Sequence, residues 1–309
     1  MVLYVNLVFG IVAHAQPEMF AQLVSRLSPY PVIVHVDVKV EQSAFLDALD
    51  PESRDRVEWI EDRVIVNWSG YSQVEAMRRI VRRALDGFAA PDDYIVMLSG
   101  GCYPIRDVSE LHGFLRSHPG IQLIRYLRVS DGGRYYTHQV ERRHTRDLRF
   151  LRSWTNKPLA RKLRNGVIRG HDFIINAGRR PLVPPHGFVF AHGSGHFALT
   201  ASCLQQLENM ANSEYVGVMK RVWAPDEKFY HTLIANSEYS SQVPDGGFAE
   251  YVGPGNYLYA ATHFITQSHQ VVATCDYDQI SSSGKFFARK FSLPASQLLI
   301  DRIDRELLD

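Results

Sequence analysis

The sequence predicts an α/β protein whose central, mostly parallel sheet is flanked by helices, and three observations lead to this fold class. Short apolar runs rich in β-branched residues recur through roughly the first third of the chain, and amphipathic stretches separate them. These runs are apolar throughout, as parallel strands covered on both faces usually are. The 309 residues are 45% hydrophobic and 22% charged, so the chain can bury a substantial core.

The expected elements alternate between strands and helices. Strands are expected at residues 5–14, 31–38 and 93–100, with one or two short strands within 57–68. Helices are expected at residues 17–27, 43–50, 72–88 and, at the C-terminal end, 296–308. Such a β-α-β-α-β order is typical of an open parallel sheet. We expect one domain over residues 1–309, with a nucleotide-binding part at about 1–130 and an acceptor or catalytic part at about 131–309.

Composition excludes several classes of protein. The net charge of +1 argues against a nucleic-acid binder. Cys102, Cys203 and Cys275 are far apart and odd in number, which favours a reducing, cytoplasmic compartment over disulfides or a cysteine metal site. The apolar N-terminal run lacks a basic leader and is too short to cross a bilayer.

Polar residues occupy the carboxyl ends of the three long predicted strands, and ligands of open parallel sheets usually bind just beyond these ends. They are His14, His35, Asp37, Ser99 and Gly100. No GxGxxG or GxxxxGK[ST] motif is present. Asp37 has no second aspartate nearby and precedes Lys39, which suits direct contact with a nucleotide better than metal binding. A strand-end salt bridge and an ordinary glycine turn are the alternatives.

Two later motifs are candidate ligand contacts. FAHGSGHFALT, residues 190–200, contains Gly193, Ser194 and Gly195, which we interpret as a substrate-binding loop. Its two histidines have helical zinc spacing, but the glycines argue against a helix and hence against zinc. FFARKF, residues 286–291, places Arg289 and Lys290 in an apolar segment, where they need an anion such as a diphosphate or a protein carboxylate.

Two adjacent carboxylates, Asp226 and Glu227, follow a proline in VWAPDEKFYHTLIANS. The common reason for this pattern is helix capping and a favourable helix dipole. The alternative is that Glu227 points into a cleft and accepts a proton. We expect both: Asp226 caps the helix and Glu227 is the base.

Residues 134–180 are strongly basic, with 13 Lys or Arg and 3 Asp or Glu. The region is either a solvated basic face or a surface for an anionic lipid or acceptor. Arg142 and Arg143 are the acceptor contacts that we predict within it.

The ordered set IVAH, VHVDVK, NWSGYSQVEAMRRIV, MLSGGCYPI, GSGHFALT, WAPDEKFYHTLIANS and FFARKF resembles one known family. It is similar to the core 2/I-branching β-1,6-N-acetylglucosaminyltransferases of glycosyltransferase family 14. The resemblance runs from about Leu7 to Lys290.

The resemblance implies a GT-A-like fold, a UDP-sugar donor, no metal or other cofactor, and inversion at the anomeric carbon. It assigns the catalytic base to Glu227 and diphosphate binding to Lys290. It also places His14, His35 and Asp37 on the nucleotide side, and the GSGHF loop beside the donor and acceptor sugars.

The chain departs from the animal members of this family in two respects. Their second diphosphate-binding arginine has no counterpart in THFITQSHQVV, so His263 or His269 is a candidate replacement, unless Lys290 and Arg289 suffice. Their membrane anchor, stem and disulfides have no counterpart either, which fits a bacterial, cytoplasmic enzyme.

The function expected from the sequence is transfer of a sugar such as GlcNAc or xylose from UDP to a glycan or glycolipid hydroxyl. Bacterial surface polysaccharide synthesis, with peripheral contact to an anionic membrane, is the expected setting. A non-catalytic glycan or nucleotide-sugar binder and a hydrolase are the alternatives. The sequence leaves open the donor sugar, the acceptor, the linkage position and the oligomeric state.

Overall fold

The computed structural model describes residues 5–147, 158–267 and 270–308. The strands are β1 Leu7–Ala13, β2 Val32–Val36, β3 Val57–Trp59, β4 Tyr94–Ser99, β5 Cys102–Pro104, β6 Leu127–Arg128, β7 Ala191–His192, β8 Ala198–Thr200, β9 His263–Ile265 and β10 Phe287–Arg289. The helices are α1 Pro17–Arg26, α2 Gln42–Asp47, α3 Pro51–Asp55, α4 Tyr71–Leu85, α5 Val108–Ser117, α6 Gly133–Glu141, α7 Pro158–Asn176, α8 Ala201–Met210, α9 Ser213–Met219, α10 Phe229–Ala235, α11 Tyr277–Ser282 and α12 Gln297–Ile303. Short 3₁₀ turns include Pro225–Glu227 and Asn256–Tyr259, and a π-helical turn, Asp304–Leu308, follows α12.

The main sheet has five strands within the described residues, in the order β3-β2-β1-β4-β8. The first four strands in this order are parallel, and β8 runs antiparallel to β4. Val12, near the end of β1, pairs with His35 on one side and Ser99 on the other. The carboxyl ends of β1, β2 and β4 therefore reach one level, and the residues after them share one edge of the sheet.

The two faces of the main sheet bury separate apolar clusters, because successive strand residues point in opposite directions. Val8, Ile33 and Ile95 pack with α4, α8 and α10 on one face. Leu7 and Phe9 pack with α1 and α5 on the other. Coverage on both faces explains why these strands are apolar throughout. The predicted α/β class with a mostly parallel sheet flanked by helices is confirmed.

Two smaller sheets position the segments that the motifs singled out. In the three-stranded sheet β5-β10-β9, Arg289 pairs with Cys102 on one side and Ile265 on the other. This brings the FFARKF segment to the edge of the sheet that contains Ser99. The β6-β7 pair holds His192 opposite Leu127.

The predicted strands and helices are present in the structure, but some of their bounds differ. Only residues 57–59 of the 57–68 segment form a strand, because the following loop turns to cover the end of β2: Val38 donates to the Val64 carbonyl. Within the described residues, no helix combines the length and apolarity needed to cross a membrane.

Candidate active site

Two cavities adjoin one another at the carboxyl ends of the main-sheet strands. We call the first, of about 260 Å³, the strand-end cavity, since His14, Asp37 and Ser99 line it. We call the second, of about 610 Å³, the aromatic cavity, after Trp68, Tyr135, Tyr136 and Trp223 in its wall. Residues that border both include His14, Gln73, Asp226, Glu227, Asn256 and Arg289. A ligand in one cavity would therefore lie against a ligand in the other.

Glu227 lies where the two cavities meet, and a strained turn presents it there. Ala224 precedes the Pro225–Glu227 turn with left-handed backbone angles, φ 42° and ψ 64°, which cost a non-glycine residue about 1 kcal/mol or more. Two backbone hydrogen bonds hold this turn: Ala224 donates to the Ser69 carbonyl at 3.3 Å, and the Glu227 carbonyl accepts from Gly193 at 3.0 Å. The side chain of Glu227 stays 23% exposed.

The carboxylate of Glu227 has two polar neighbours. The Asn256 side-chain amide donates to Oε1. Nδ1 of His192 lies 3.9 Å from Oε2, but burial and the charge of Lys228 hold the pKa of His192 well below its usual value, so this imidazole is neutral. Burial raises the pKa of Glu227, while the Lys228 charge and the Asn256 hydrogen bond oppose that rise. The result is a carboxylate of increased basicity, as a general base requires.

Asp226 does not cap the following helix, so that prediction is wrong. Helix α10 begins at Phe229, after Lys228 at its N-cap, and no side chain caps it. The intervening turn carries Asp226 away from the free N–H groups and into the wall of both cavities. Its Oδ1 is buried and has no hydrogen-bond partner within the described residues. Burial and the neighbouring Glu227 charge raise the pKa of Asp226 to about 7.

Lys228 is a fully buried cation directly behind the two carboxylates. Its Nζ donates to the Ala224 carbonyl at 3.2 Å. Burial lowers the pKa of Lys228, and Glu227 and Asp226 oppose that change by charge attraction. A buried charge is tolerated when opposite charges surround it, so this lysine and the two carboxylates act as one electrostatic unit.

Asp37, His14 and Ser99 line the strand-end cavity, as predicted from their positions after the strands. Asp37 is buried and accepts backbone hydrogen bonds from Lys39 at 3.0 Å and Val66 at 3.3 Å. Its other oxygen lies 3.1 Å from the Lys39 ammonium, so the strand-end salt bridge also exists. Burial, followed by the charge of Lys290, lowers the pKa of His14 and keeps its ring neutral at physiological pH.

His35 and Gly100 lie outside the walls of these two cavities. The His35 ring is fully buried and accepts a hydrogen bond from the Val64 backbone at 2.9 Å. It therefore holds the loop that flanks Asp37, and burial lowers its pKa to about 4. A side chain at Gly100 would touch Ala13, and one at Gly101 would lie 3.2 Å from Lys290 Cγ. The glycine pair thus allows strand ends to pack closely against the FFARKF segment.

Arg289 and Lys290 reach the cleft from β10 and the residue after it. Arg289 borders both cavities, and its Nε is buried with no hydrogen-bond partner among the described residues. Lys290 lines the aromatic cavity. His263 lies behind this wall, where its ring stacks on Phe287 with 5.2 Å between the ring centroids, and it borders neither cavity. His269 lies outside the described residues.

The GSGHF loop supports the Glu227 turn more than it lines a cavity. Gly193 has no room for a side chain, since an added Cβ would lie 2.1 Å from the Arg125 carbonyl oxygen. Ser194 is buried, and its hydroxyl lies 3.2 Å from Nδ1 of His196. Gly195 and His196 line the strand-end cavity. The structure therefore places Gly193 and Ser194 away from the aromatic cavity and Gly195 in the wall of the strand-end cavity.

Arg142 and Arg143 lie apart from the Glu227 cleft. Arg142 lines a third cavity of about 430 Å³ with Arg169 and Asp172. The Arg143 guanidinium donates to the Arg180 carbonyl at 2.9 Å. Neither side chain borders the strand-end or the aromatic cavity.

Cys102, His196 and His263 are the described residues that come closest to a metal-binding group. Their ligand atoms all lie within 4.8 Å of one another, and all three side chains are buried. Burial and the nearby Arg289 charge hold the pKa values of both histidines well below the usual range. The same guanidinium would repel a divalent cation, so we interpret the group as neutral packing behind Arg289.

Sequence reasoning missed several residues of the cleft. Asn256, Tyr135 and Tyr136 belong to no recognised motif, Gln73 lies in the NWSGYSQVEAMRRIV motif but was given no role, and His192 was considered only as a zinc ligand. A usable signal existed for Asn256, because the surrounding GPGNY segment has the composition of a tight turn between structured elements.

The fold and the cleft define an α/β protein with a cleft beyond the ends of its parallel strands, where ligands of such sheets usually bind. The sequence model of the Core-2/I-Branching enzyme family matches residues 9–245, well over half of the chain. The protein belongs to this family and is therefore a member of a glycosyltransferase family. The resemblance seen in the sequence motifs is confirmed.

Two solved structures are similar to the chain at low identity. The apo form of mouse xyloside xylosyltransferase 1 is 11% identical, with a TM-score of 0.37, over 94% of this chain and 99% of that chain. The crystal structure of 4-diphosphocytidyl-2C-methyl-D-erythritol synthase is 13% identical, with a TM-score of 0.31, over 70% of this chain and 85% of that chain. No curated protein sequence matches the chain.

Proposed function

We propose that the protein is a metal-independent, inverting glycosyltransferase that moves a sugar from UDP to a glycan or glycolipid hydroxyl and forms a β-linkage. One observation carries this proposal: Glu227 lies where the strand-end cavity meets the aromatic cavity, and Arg289 borders both. A donor in the first cavity and an acceptor in the second would meet at a basic carboxylate and a guanidinium. The whole chain is proposed to act as one domain.

The donor is proposed to bind in the strand-end cavity. Asp37 and His14 are placed to contact the nucleotide, because their side chains line the cavity just beyond the strand ends. Arg289 and Lys290 are proposed to bind the diphosphate, which is supported by Arg289 in the wall of both cavities and Lys290 in the wall of the aromatic cavity. The buried, unpartnered Nε of Arg289 supports this role, since a phosphate oxygen would satisfy it. These cations would stabilise the departing UDP without a metal ion.

The acceptor hydroxyl is proposed to give its proton to Glu227 as its oxygen attacks the anomeric carbon. The attacking oxygen approaches opposite the diphosphate, so the α-linked donor yields a β-linked product. Asn256 holds one carboxylate oxygen in place, which leaves Oε2 to take the proton. Asp226, with an unpartnered Oδ1 in the same wall, is placed to accept a hydrogen bond from a donor-sugar hydroxyl. No cofactor other than the donor takes part in this scheme.

The acceptor is proposed to be a lipid-linked or otherwise anionic glycan at the cytoplasmic face of a bacterial membrane, in surface polysaccharide synthesis. Positions 134–180 contain 13 basic and 3 acidic residues, and this excess of positive charge supports an anionic acceptor. Protein contact with the bilayer is proposed to be peripheral.

A hydrolase is a second candidate, because the structure places Asp226 beside Glu227 in the cleft. A retaining hydrolase needs two carboxylates about 5 Å apart that act on one anomeric carbon. Asp226 and Glu227 interact with each other and with Lys228, so the two carboxyl groups compete for one proton. This favours one base over two carboxylates that act independently, as a retaining hydrolase would need.

The test combines UDP release with product analysis. UDP-GlcNAc, UDP-Xyl, UDP-Glc, UDP-GlcA and UDP-Gal are first ranked by thermal shift, and the best donor is then incubated with lipid-linked and soluble acceptors. The proposal expects UDP release that depends on acceptor, survives EDTA, and gives a β-anomer by NMR. Equal release without acceptor would identify a hydrolase. Loss of turnover in EDTA with recovery in Mn²⁺ would overturn metal independence.

A further inference from the structure

Helix α7 exposes an apolar stripe that no other part of the described chain covers. Leu163 is 58% exposed, Val167 44%, Phe173 76% and Ile174 72%. At about 100° per residue, these four side chains fall within roughly one third of the helix circumference. Val183 follows just beyond the helix and is also largely exposed. Five of the twelve exposed large hydrophobic residues in the described chain thus lie between positions 163 and 183.

Such a stripe is unusual in water and indicates a contact surface. Scattered exposed apolar residues are normal, but a contiguous group on one helix face marks an interaction site. The opposite face of α7 packs on the protein: Asp172 accepts from the Arg146 guanidinium at 2.7 Å, and Asn176 accepts from the Arg143 backbone at 2.8 Å. The helix is therefore fixed with its apolar stripe directed outward.

The charges around the stripe select the kind of partner. Lys162, Arg169, Arg179 and Arg180 are exposed on α7 and just after it, and within the described residues no carboxylate pairs with them. Asp172 is the one acidic residue in positions 158–183, and Arg146 neutralises it. Apolar side chains bordered by cations are typical of helices that lie in the interface of an anionic bilayer. A protein partner would not need this one-sided charge.

The packed face of α7, opposite the stripe, is connected to the aromatic cavity. Arg146 contacts Asp172 of α7 on one side and stacks over the Trp223 ring, 4.7 Å from its centroid, on the other. Trp223 in turn lines the aromatic cavity. Two side chains thus connect the surface of α7 to the proposed acceptor side of the cleft.

We propose that α7 is an interfacial anchor: it lies in the plane of an anionic lipid surface, with Leu163, Val167, Phe173 and Ile174 between the lipid headgroups. The inference rests on the proposed function only in that a lipid-linked acceptor gives the anchor its purpose. On binding, α7 lies between the lipid and the Arg146–Trp223 contact, so the wall of the aromatic cavity lies behind a single helix, about 10–12 Å across.

The test is cosedimentation of the full chain with phosphatidylcholine vesicles prepared with and without phosphatidylglycerol. Binding is expected only with the anionic lipid, and it should weaken with salt, because the attraction is screened over about 10 Å at 0.1 M. Ile174→Gln should weaken binding about tenfold, since it removes one inserted side chain while keeping a good helix former. The matched control is Leu298→Gln, which changes a side chain of similar exposure, 74%, on α12 and should leave binding unchanged.

The outcomes distinguish this inference from the proposed function. Transfer to a soluble acceptor should be equal for wild type and Ile174→Gln, so loss of vesicle binding alone supports the anchor. Absence of binding to anionic vesicles by an active, monomeric wild-type protein would overturn the anchor and leave the transferase proposal intact. Sedimentation without lipid that Ile174→Gln abolishes would also overturn it, in favour of a second copy of the chain on this face.

Discussion

The two sides of the Glu227 cleft are built in different ways. The strand-end cavity is formed by residues that follow β1, β2 and β4, and ladder hydrogen bonds fix their level: the Asp37 backbone donates to the Ala13 carbonyl at 2.9 Å. The aromatic cavity is formed by Trp68, Tyr135 and Trp223 from separate helices and loops. A sheet edge can be inferred from local sequence patterns, whereas an assembly of helices and loops depends on contacts distant in sequence.

This difference suggests how substrate choice is divided. The strand-end side presents a small set of polar groups on a rigid frame, which suits a ligand part that stays constant, such as a nucleotide. The aromatic side presents exposed rings and is linked to the basic helix α7 through Arg146, which suits a variable acceptor. Variants on the two sides should therefore affect different kinetic constants.

The largest expected effect is at the junction of the two sides. Glu227→Gln keeps the size of the side chain but removes the proton acceptor, so turnover should fall by about 10²–10⁴-fold. Donor affinity should change little, because the base faces the acceptor hydroxyl. Turnover with saturating acceptor and calorimetric binding of UDP-sugar measure the two quantities.

The control for this variant is Glu238→Gln, which makes the same change in a 3₁₀ turn that borders neither cavity. The control should keep full activity. Near-wild-type turnover in Glu227→Gln would remove Glu227 from the mechanism.

The next effect is on donor binding. Lys290→Ala removes a cation from the wall of the cleft and should weaken binding of both UDP and UDP-sugar by about tenfold to a hundredfold. Lys220→Ala, on an exposed lysine after α9, is the matched control and should leave affinity unchanged. If Lys290→Ala changed only the KM for acceptor, Lys290 would belong to the acceptor side.

The strands that form the strand-end side of the cleft were predicted well from the sequence, for a physical reason. Parallel strands buried on both faces give continuous apolar runs, so β1, β2 and β4 and the residues after them could be located without a structure. His35 shows the limit of this approach. It was expected in the wall, but the loop after β3 covers it and its ring holds the Val64 backbone.

The other differences arise where a local pattern has two physical explanations. A Pro-Asp-Glu sequence before an apolar stretch is typical of a helix start, but an extra turn displaces Asp226 from the helix N-terminus. Glycines at 193 and 195 suggested a ligand loop, whereas Gly193 is required by the Arg125 backbone. Both outcomes depend on elements distant in sequence, which local patterns do not encode.

The pH dependence of turnover tests the electrostatic unit behind Glu227. A base acts only when deprotonated, so activity should fall as the pH decreases through the pKa of Glu227. Since burial raises this pKa above its ordinary value of 4.5, the acid limb should lie above pH 4.5. Lys228→Met removes a nearby positive charge that lowers the pKa of Glu227, so the limb should move to higher pH.

Circular dichroism establishes that Lys228→Met is folded, and the pH profile is then measured with saturating donor and acceptor. A limb that stays in place in the folded variant would show that Lys228 does not affect the reacting carboxylate. A limb that moves to lower pH would contradict the sign of the electrostatic argument.

The smallest expected effect comes from a comparison of Tyr135 with Arg142, one of the acceptor contacts predicted from the sequence. Tyr135 is exposed and lines the aromatic cavity, where its ring can pack against the apolar face of an acceptor sugar. Arg142 lines the separate cavity beside α7. Tyr135→Ala should therefore raise the KM for a soluble acceptor by about threefold to tenfold, the range expected from one aromatic contact, and leave the KM for donor unchanged.

Arg142→Gln should change the KM for that acceptor by less than about twofold, because a charge outside the cleft is screened by solvent. Initial rates at varied acceptor concentration measure both variants in one assay. If Arg142→Gln had the larger effect, the acceptor would extend into the basic cavity and the aromatic cavity would not be its principal site.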